Sequence, residues 1–231
     1  MKIEVCINRL EDLELVQGLS VDRIELCIEL NCGGLTPSLA MVEQAVHLSK
    51  IPIHVLVRPR SGDFIYTPRT LAMMLQTCRQ IERLGVAGIV TGALAAKGRF
   101  SPEILIPFRK SLNHTVLYFH RAFDEIQNPD QALASLKNIG FNGLLSSGQQ
   151  KTALEGIDQL VAWKKWAGKD FEILPGAGIN AENCSIFKEK QFNWIHLSAK
   201  QEVLPLVPSK FSSPQYGLNL EALQQLIALV K

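Results

Sequence analysis

Short β-prone runs alternate with amphipathic stretches eight times along this chain of 231 residues. Apolar residues in the intervening stretches recur at spacings of three and four, as they do between Thr67 and Leu84, and this spacing is typical of helices. Repeated strand–helix units predict a parallel sheet. The predicted strands are Lys2–Ile7, Arg23–Cys27, Ile53–Arg58, Gly88–Thr91, Thr115–His120, Gly143–Ser146, Glu172–Leu174 and Trp194–Leu197.

Eight such units in a chain of this length favour a closed (β/α)8 TIM-type barrel, which typically has roughly 250 residues, over an open sheet. No G-x-G-x-x-G follows the first strand, which argues against a dinucleotide-binding sheet. We expect one domain over residues 1–231. Within it, residues 200–217, rich in Pro and Ser, are predicted to form an irregular loop, and residues 218–230 a final helix.

The composition and charge of the chain indicate what class of protein it is and which partners it is not expected to bind. A hydrophobic fraction of 47% and a charged fraction of 20% are typical of a globular chain with a large core. The net charge of +2 is spread without long like-charged runs, so neither a nucleic acid nor a membrane is expected as a partner. The acidic N-terminal stretch does not resemble a secretory signal, and the five cysteines are odd in number, which together predict a cytoplasmic protein with free thiols.

Side-chain alternation predicts which strand residues point into the barrel. On the first strand Ile3, Val5 and Ile7 are expected to face the helices, so Glu4 and Cys6 point inward. Buried ionisable groups cost free energy unless they pair or carry out chemistry, so a ring of them predicts a functional site, with a structural salt-bridge network as the alternative. The inward ionisable residues are Glu4, Glu25, His54, Arg58, His120 and His196.

Two arginines form the strongest local feature of the sequence. Arg58 and Arg60 flank a proline at a strand end, and guanidinium groups suit a carboxylate or a phosphate. The alternative is that Arg58 pairs across the barrel with Glu25 or Glu4, while Arg60 is more exposed.

A proton-transfer pair is the second feature, because His120 and Asp124 share one parity after the fifth strand. A histidine of this kind can equally be a core residue. The predicted catalytic residues are Glu25, Arg58, Arg60, His120 and Asp124.

Glycine-rich strand ends form the third feature. Gly148 follows the sixth strand, Gly176 and Gly178 follow the seventh, and Ser198 follows the eighth. Loops after strands 7 and 8 of such barrels often bind phosphate through backbone N–H groups, so these residues and Arg60 are predicted to bind an anion. The alternative is that the glycines serve tight turns only.

Two cysteines form the fourth feature. Cys6 and Cys27 are predicted to point inward from adjacent strands, and paired thiolates suit Cu(I) or, less completely, Zn(II). Two ligands fall short of the four in a closed zinc site, and two buried thiols are the alternative. Cys32, on the following loop, is a candidate third ligand.

Nine short motifs occur in a fixed order between residue 3 and about residue 200: IEVCI, DRIELC, GGLTPS, IPIHVLVRPRSGDFIY, GIVTGAL, FHRAFDEIQNP, LLSSGQ, ILPGAGINAEN and WIHLSAK. Together they resemble the CutC copper-homeostasis family. The resemblance implies a (β/α)8 barrel, a cytoplasmic location and a role in copper handling, with Cys6 and Cys27 as Cu(I) ligands. Some relatives carry a further cysteine beside the first, where this chain has Val5 and Ile7. No organic cofactor is predicted.

Two functions are therefore in competition. The first is Cu(I) binding. The second is an enzyme that acts on a small anionic substrate, bearing phosphate or carboxylate, at the C-terminal mouth of the barrel, with its reaction left open. Phe64, Ile65 and Tyr66 could in addition mark the contact of a homodimer.

Overall fold

The predicted strands form one eight-stranded parallel sheet. The structure, a computed structural model, describes residues 1–204 and 215–231. The strands lie in the order β7-β6-β5-β4-β3-β2-β1-β8, and a parallel bridge between Gly176 and His196 joins the two ends of the sheet. The (β/α)8 TIM-type barrel is thus confirmed, with each strand boundary within one residue of its predicted place. The strands are β1 (Lys2–Ile7), β2 (Arg23–Leu26), β3 (Ile53–Val57), β4 (Gly88–Thr91), β5 (Val116–Phe119), β6 (Gly143–Ser146), β7 (Glu172–Pro175) and β8 (Trp194–Leu197).

Helices surround the barrel, and local capping explains where several begin. Thr67 accepts a hydrogen bond from the N–H of Thr70 and Asn219 from that of Ala222, each at the start of a helix. No helix in the described ranges is long and apolar enough to cross a membrane. The helices are α1 (Leu10–Gln17), α2 (Leu39–Leu48), α3 (Pro68–Arg83), α4 (Pro102–Ser111), α5 (Pro129–Ile139), α6 (Ile157–Ala167), α7 (Cys184–Glu189) and α8 (Leu220–Val230).

The barrel has two apolar layers. The outward strand residues, such as Ile3 and Val5, pack with the helices in one large cluster. The inward residues form two small clusters of their own, as strand alternation predicts. One contains Cys6, Cys27, Leu56, Val90 and Tyr118, and the other contains Leu145, Leu174 and Trp194.

Glycines on the strands make room for the rings inside the barrel. Gly88 lies beside His54, and Gly143 lies beside Tyr118, in the strand register. A Cβ atom at either glycine would overlap the neighbouring ring. These strand glycines therefore serve packing, since only a hydrogen side chain leaves space for the facing ring.

The segment after β8 differs from its predicted irregular loop. Lys200–Val203 (β9) and Gln215–Leu218 (β10) pair as an antiparallel ladder, whereas residues 205–214 lie outside the described residues. Sequence patterning misses these strands because they are largely polar and their pairing partner is distant in sequence, so no local apolar alternation marks them. The last helix begins at Leu220, after its Asn219 cap, and not at residue 218.

We expect Gly88→Ala to lower the free energy of unfolding by about 1–3 kcal/mol, because its Cβ overlaps the buried His54 ring. Urea unfolding followed by circular dichroism measures the change. Gly18→Ala is the control: its φ is −78° and the nearest atom to an added Cβ, Leu15 O, is 3.8 Å away, so a shift within about 0.5 kcal/mol is expected. Equal effects of the two substitutions would contradict the packing role.

Candidate functional site

A cavity of about 840 Å³ lies at the C-terminal ends of the barrel strands. This volume falls within the range of small-molecule sites, and this end of the barrel is where such folds place their functional groups. Its lining includes Cys6, Glu25, Leu56, Arg58, His120, Arg121, Asp124, Leu145, Gly178, His196 and Ser198. Strands β1, β2, β3, β6 and β8 and the loops that follow the strands thus contribute to one site.

Two buried sulfurs lie side by side in this site. The Sγ atoms of Cys6 and Cys27 are 3.3 Å apart, and the Cys6 thiol donates to Glu25 Oε1 at 3.6 Å. Hydrogen bonding to Cys27 and burial raise the pKa of Cys6 well above its ordinary value. The Cys6 sulfur is therefore a thiol until something replaces its proton.

An imidazole and a carboxyl group complete the cluster. His196 Nδ1 is 2.7 Å from Glu4 Oε1, which leaves Nε2 as the nitrogen available to a ligand. Cys6, Glu25 and His196 each offer an atom that could ligate a metal, all within 4.8 Å of one another. Burial raises the pKa of Glu25 to about 7, and its Oε2 has no hydrogen-bond partner among the described residues.

A buried charge network lies beneath this cluster. Arg23 donates to Glu4, contacts Glu172 at 3.6 Å and stacks on the rings of Tyr118 and Trp194. Burial would raise the pKa of Glu4, but Arg23 and the nearby histidines outweigh it and lower this pKa to about 2. Part of the predicted polar ring is thus a salt-bridge network, which holds Glu4 ionised against His196.

Sequence reasoning missed three members of that network: Arg23, Tyr118 and Glu172. Arg23 had a usable signal, because it shares the inward parity of Glu25 on β2. Tyr118 and Glu172 carried no signal beyond their position on a strand. Their roles depend on partners contributed by other strands. The Tyr118 hydroxyl lies 3.2 Å from Arg23 NH1 and donates a short hydrogen bond to Glu172.

Arg58 holds two loops together and does not pair with Glu25 or Glu4. Its NH1 donates to the carbonyls of Cys32 and Gly34 at 2.8 and 2.9 Å, and its NH2 donates to Gly62 at 3.1 Å. The Gly34 loop lies directly on Cys27, since a Cβ at Gly34 would be 3.4 Å from the Cys27 sulfur. By holding this loop in place, Arg58 keeps the Cys27 thiol covered.

The structure does not bring Arg60 to the cavity. Its guanidinium binds the Asp63 carboxylate at 2.7 Å and backbone carbonyls of its own loop, and its side chain is 45% exposed. The predicted catalytic and anion-binding roles of Arg60 do not fit this position. The prediction extends strand alternation beyond Val57, where β3 ends, and alternation no longer fixes side-chain direction there.

His120 lines the cavity as a neutral ring. Its Nδ1 accepts a hydrogen bond from the N–H of Ala122 at 3.2 Å, so the ring proton is on Nε2. Burial and the charge of Arg58 lower the pKa of His120 to about 3. An imidazole with this pKa donates a hydrogen bond near neutral pH but does not carry a charge.

Asp124 lines the cavity but does not form the predicted pair with His120. It lies in a 3-10 helix, Arg121–Glu125, so strand parity does not apply to it. Its carboxylate instead accepts hydrogen bonds from Arg121 Nε in the same helix, from Ser146 Oγ at the end of β6, and from Ser147 N and Gln149 N in the loop after β6. These hydrogen bonds give the Asp124 carboxylate a structural role, because they join this helix to β6 and to the loop that follows it.

Two of the strand-end residues predicted to bind an anion line the cavity, and two do not. Gly178 and Ser198 line the cavity, whereas Gly148 and Gly176 are outside the lining found among the described residues. The N–H groups of Gly148 and Gly176 already donate to Ser146, at 2.9 Å to its hydroxyl and 3.0 Å to its carbonyl. The Gly148 N–H therefore closes the turn after β6, and the Gly176 N–H joins β7 to β6.

The apolar trio of the β3 loop is only partly exposed. Phe64 lines the cavity, Tyr66 is buried beneath Arg60, and Ile65 is 39% exposed. The suggested dimer contact therefore has one exposed apolar side chain and stays a prediction.

Sequence comparison finds one family. A CutC family model matches residues 1–201. The chain is 37% identical over 223 residues to a CutC protein of Glaesserella parasuis, which covers 95% of this chain and 90% of that protein. It is also 37% identical over 212 residues to a CutC protein of Pasteurella multocida, covering 90% and 86% of the two chains.

Structural comparison gives the same family and the wider fold. The solved CutC structure from Streptococcus agalactiae matches with a TM-score of 0.80 at 28% identity, covering 85% of this chain and 97% of that one. A chain of the tryptophan synthase complex from Pyrococcus furiosus matches with a TM-score of 0.60 at 14% identity, covering 86% and 87%, and shows the barrel fold alone.

We expect His120 to make the protein sensitive to acid. Its pKa falls from an ordinary 6.5 to about 3 on folding, so its contribution to stability is complete above pH 6.5 and is lost as the pH falls toward 3. One such proton changes the free energy of unfolding by up to about 1.4 kcal/mol per pH unit. Urea unfolding between pH 7 and pH 4 measures this slope.

His120→Phe is the matched variant, because a phenyl ring fits beside Phe64 and Phe119 and cannot be protonated. Its unfolding free energy should fall less steeply with acid than that of the natural protein. Identical slopes would show that His120 is not buried in its neutral form.

Proposed function

This chain belongs to the CutC family, and we propose that it binds Cu(I) as cargo through Cys6, Cys27 and His196. The family name links these proteins to copper homeostasis. One observation carries the proposal: the Cys6 and Cys27 sulfurs are 3.3 Å apart, and Cys6 lies within 4.8 Å of the imidazole of His196, whose Nδ1 is bonded to a buried carboxylate.

The donor set suits a soft monovalent ion. Thiolates select Cu(I), and an imidazole is a good third ligand for it. Zn(II) is the competing ion, since it prefers four ligands and Glu25 could supply the fourth beside Cys6, Cys27 and His196. The preference for Cu(I) rests on the two sulfurs and on the raised pKa of Glu25, which keeps this carboxyl partly protonated near neutral pH.

Surrounding residues prepare the ligands. Glu4 orients His196 through Nδ1 and leaves Nε2 for a ligand, the arrangement that commonly raises the basicity of a metal-binding histidine. Binding of the ion displaces the proton of the Cys6 thiol, and Glu25 Oε1, which already accepts that S–H, is the group placed to receive it.

Access to the site runs from the cavity. Cys6 and Cys32 both line it, whereas Cys27 lies behind Cys6 and beneath the loop that Arg58 holds. Cys32 is partly exposed and its thiol bonds only to the carbonyl of Glu29 within the described part of the chain, so it is suited to meet an incoming ion first. We propose a cytoplasmic setting for this function, because it needs reduced thiols.

The enzyme alternative has less support. Arg60 lies outside the cavity lining found among the described residues, and Asp124 is engaged in structural hydrogen bonds, so the geometry gives little support to two of its five predicted residues. One observation favours it: Glu25 has a pKa near neutrality and faces the cavity, as a general acid or base should.

We expect the double variant Cys6→Ser, Cys27→Ser to lose Cu(I) binding, since it removes both sulfurs of the site. Competition with a colorimetric Cu(I) chelator under anaerobic, reducing conditions measures the affinity. The control is Cys78→Ala, Cys184→Ala, which removes two buried thiols distant from the cavity lining and should bind as the natural protein does. Undiminished binding in the first double variant would reject the site.

Glu25→Gln should separate the two candidate metals. Zn(II) uses the Glu25 oxygen as a fourth ligand, so its affinity should fall by roughly tenfold or more, whereas Cu(I), held by sulfur and nitrogen, should be little affected. Parallel titrations with both ions measure the ratio. A larger loss for Cu(I) than for Zn(II) would show that the carboxylate is part of the copper site.

A further inference from the structure

Six lysines gather at the end of the barrel opposite the cavity. In a (β/α)8 barrel each helix runs back toward the N-terminal ends of the strands, so the last turns of the helices share one face. Together with Trp166 and Leu229, which lie in the last turns of α6 and α8, these lysines are called the lysine face. They come from the ends of α5, α6 and α7 and from the residues just after α6 and α7, and they are Lys137, Lys164, Lys165, Lys169, Lys188 and Lys190.

Hydrogen bonds between helix ends hold the lysine face together. Lys137 Nζ donates to the carbonyl of the last residue of α6 at 2.8 Å. Lys164 Nζ donates at 2.6 and 2.8 Å to the first two carbonyls after α7. Lys188 Nζ donates at 3.3 Å to the carbonyl of Leu229. The ends of four consecutive helices, α5 to α8, are thus neighbours on one surface.

The positive charge of this face is not neutralised by ion pairs. None of the six lysines forms an ion pair within residues 1–204 and 215–231. Only two acidic residues, Asp170 and Glu189, lie at the same helix ends. Three of the lysines bind helix carbonyls, as lysines at helix C-termini commonly do. The side chains of Lys165, Lys169 and Lys190 have no such partner among the described residues and are exposed.

Two large apolar side chains are exposed beside these lysines. Trp166 is 53% exposed and Leu229 is 47% exposed. An indole ring among lysines suits the surface of an anionic membrane, because the ring lies well at the level of the headgroups and the ammonium groups attract acidic lipids. The face carries lysine and no arginine, whereas recognition of nucleic acids favours the guanidinium group.

We propose that the lysine face binds the surface of a membrane that contains anionic lipids, with Trp166 at the level of the headgroups. The proposal is independent of Cu(I) binding, because the cavity lies at the other end of the barrel and stays open to solvent in this orientation. The charge distribution along the sequence argued against a membrane partner, because these lysines come from three helices and meet only in the folded chain.

Co-sedimentation with lipid vesicles tests the proposal. The protein should sediment with vesicles made of equal amounts of phosphatidylserine and phosphatidylcholine, and little of it should sediment with phosphatidylcholine alone. High ionic strength should release it, because salt screens the attraction between exposed charges. Failure to bind the phosphatidylserine vesicles, or equal binding to both kinds of vesicle, would overturn the proposal.

Charge reversal localises the contact. Lys165→Glu, Lys169→Glu changes two exposed side chains and should weaken binding to the phosphatidylserine vesicles by about tenfold or more. The matched control is Lys97→Glu, Lys151→Glu, which alters the net charge equally in exposed loops at the cavity end. It should bind within about threefold of the natural protein, because those loops lie more than a Debye length from the membrane. If the two double variants bind alike, net charge and not the lysine face drives binding, and the assignment is wrong.

Tryptophan fluorescence reports the placement of Trp166. The chain has three tryptophans, and the other two, Trp163 and Trp194, are only 2% and 9% exposed. Vesicle binding should therefore shift the emission to shorter wavelength and reduce quenching by acrylamide, and Trp166→Phe should abolish both changes. Emission that stays unchanged while the protein sediments would reject the placement of Trp166 in the membrane.

A DNA duplex of mixed sequence distinguishes a membrane from a nucleic acid as the partner. The duplex should bind more weakly than the phosphatidylserine vesicles at the same ionic strength. Tighter binding of the duplex, lost in Lys165→Glu, Lys169→Glu, would assign the lysine face to nucleic acid and overturn the membrane proposal.

Discussion

The buried ion pair between Glu4 and Arg23 is the interaction on which the site depends. Glu4 is 1% exposed, and its carboxylate stays ionised inside the barrel because Arg23 and two histidines surround it. Removing one partner of such a pair leaves an uncompensated charge and typically costs several kcal/mol. The pair also has a local consequence, since the second oxygen of Glu4 fixes the ring of His196 through Nδ1 and so leaves Nε2 for a ligand.

Two different chemistries then share one cavity. The wall formed by β1, β2 and β8 carries the Cys6 sulfur, the Glu25 carboxyl and an imidazole, whereas the wall at the ends of β3 and β5 carries the positive charge of Arg58 and the neutral ring of His120. Arg58 connects the two walls, because the loop that it holds through Cys32 and Gly34 also covers Cys27. In a barrel whose loops all meet at one end, such sharing follows from the topology.

The packing around these groups is equally specific. Interior rings are accommodated by glycines on the adjacent strand, so that His54 faces Gly88 and Tyr118 faces Gly143. The barrel interior thus holds large polar rings in place of the branched apolar side chains that commonly fill such folds. The Tyr118 hydroxyl is hydrogen-bonded to Arg23 at 3.2 Å and to Glu172, whereas burial lowers the pKa of His54 to about 3, so this ring is buried in its neutral form.

The sequence by itself determined the barrel, its eight strands and the inward direction of Glu4, Cys6, Glu25 and Cys27, because residue alternation and helical spacing are local properties that the backbone geometry must obey. It also indicated the CutC family through motifs in a fixed order.

Only the tertiary structure decided what the predicted site residues do. Arg60 and Asp124 lie beyond strand ends, where alternation carries no information, and each found partners in its own loop or the next. Arg23, Tyr118 and Glu172 gained their roles from contacts between different strands. Hydrogen bonding and charge pairing between distant segments depend on three-dimensional proximity, which no local pattern specifies.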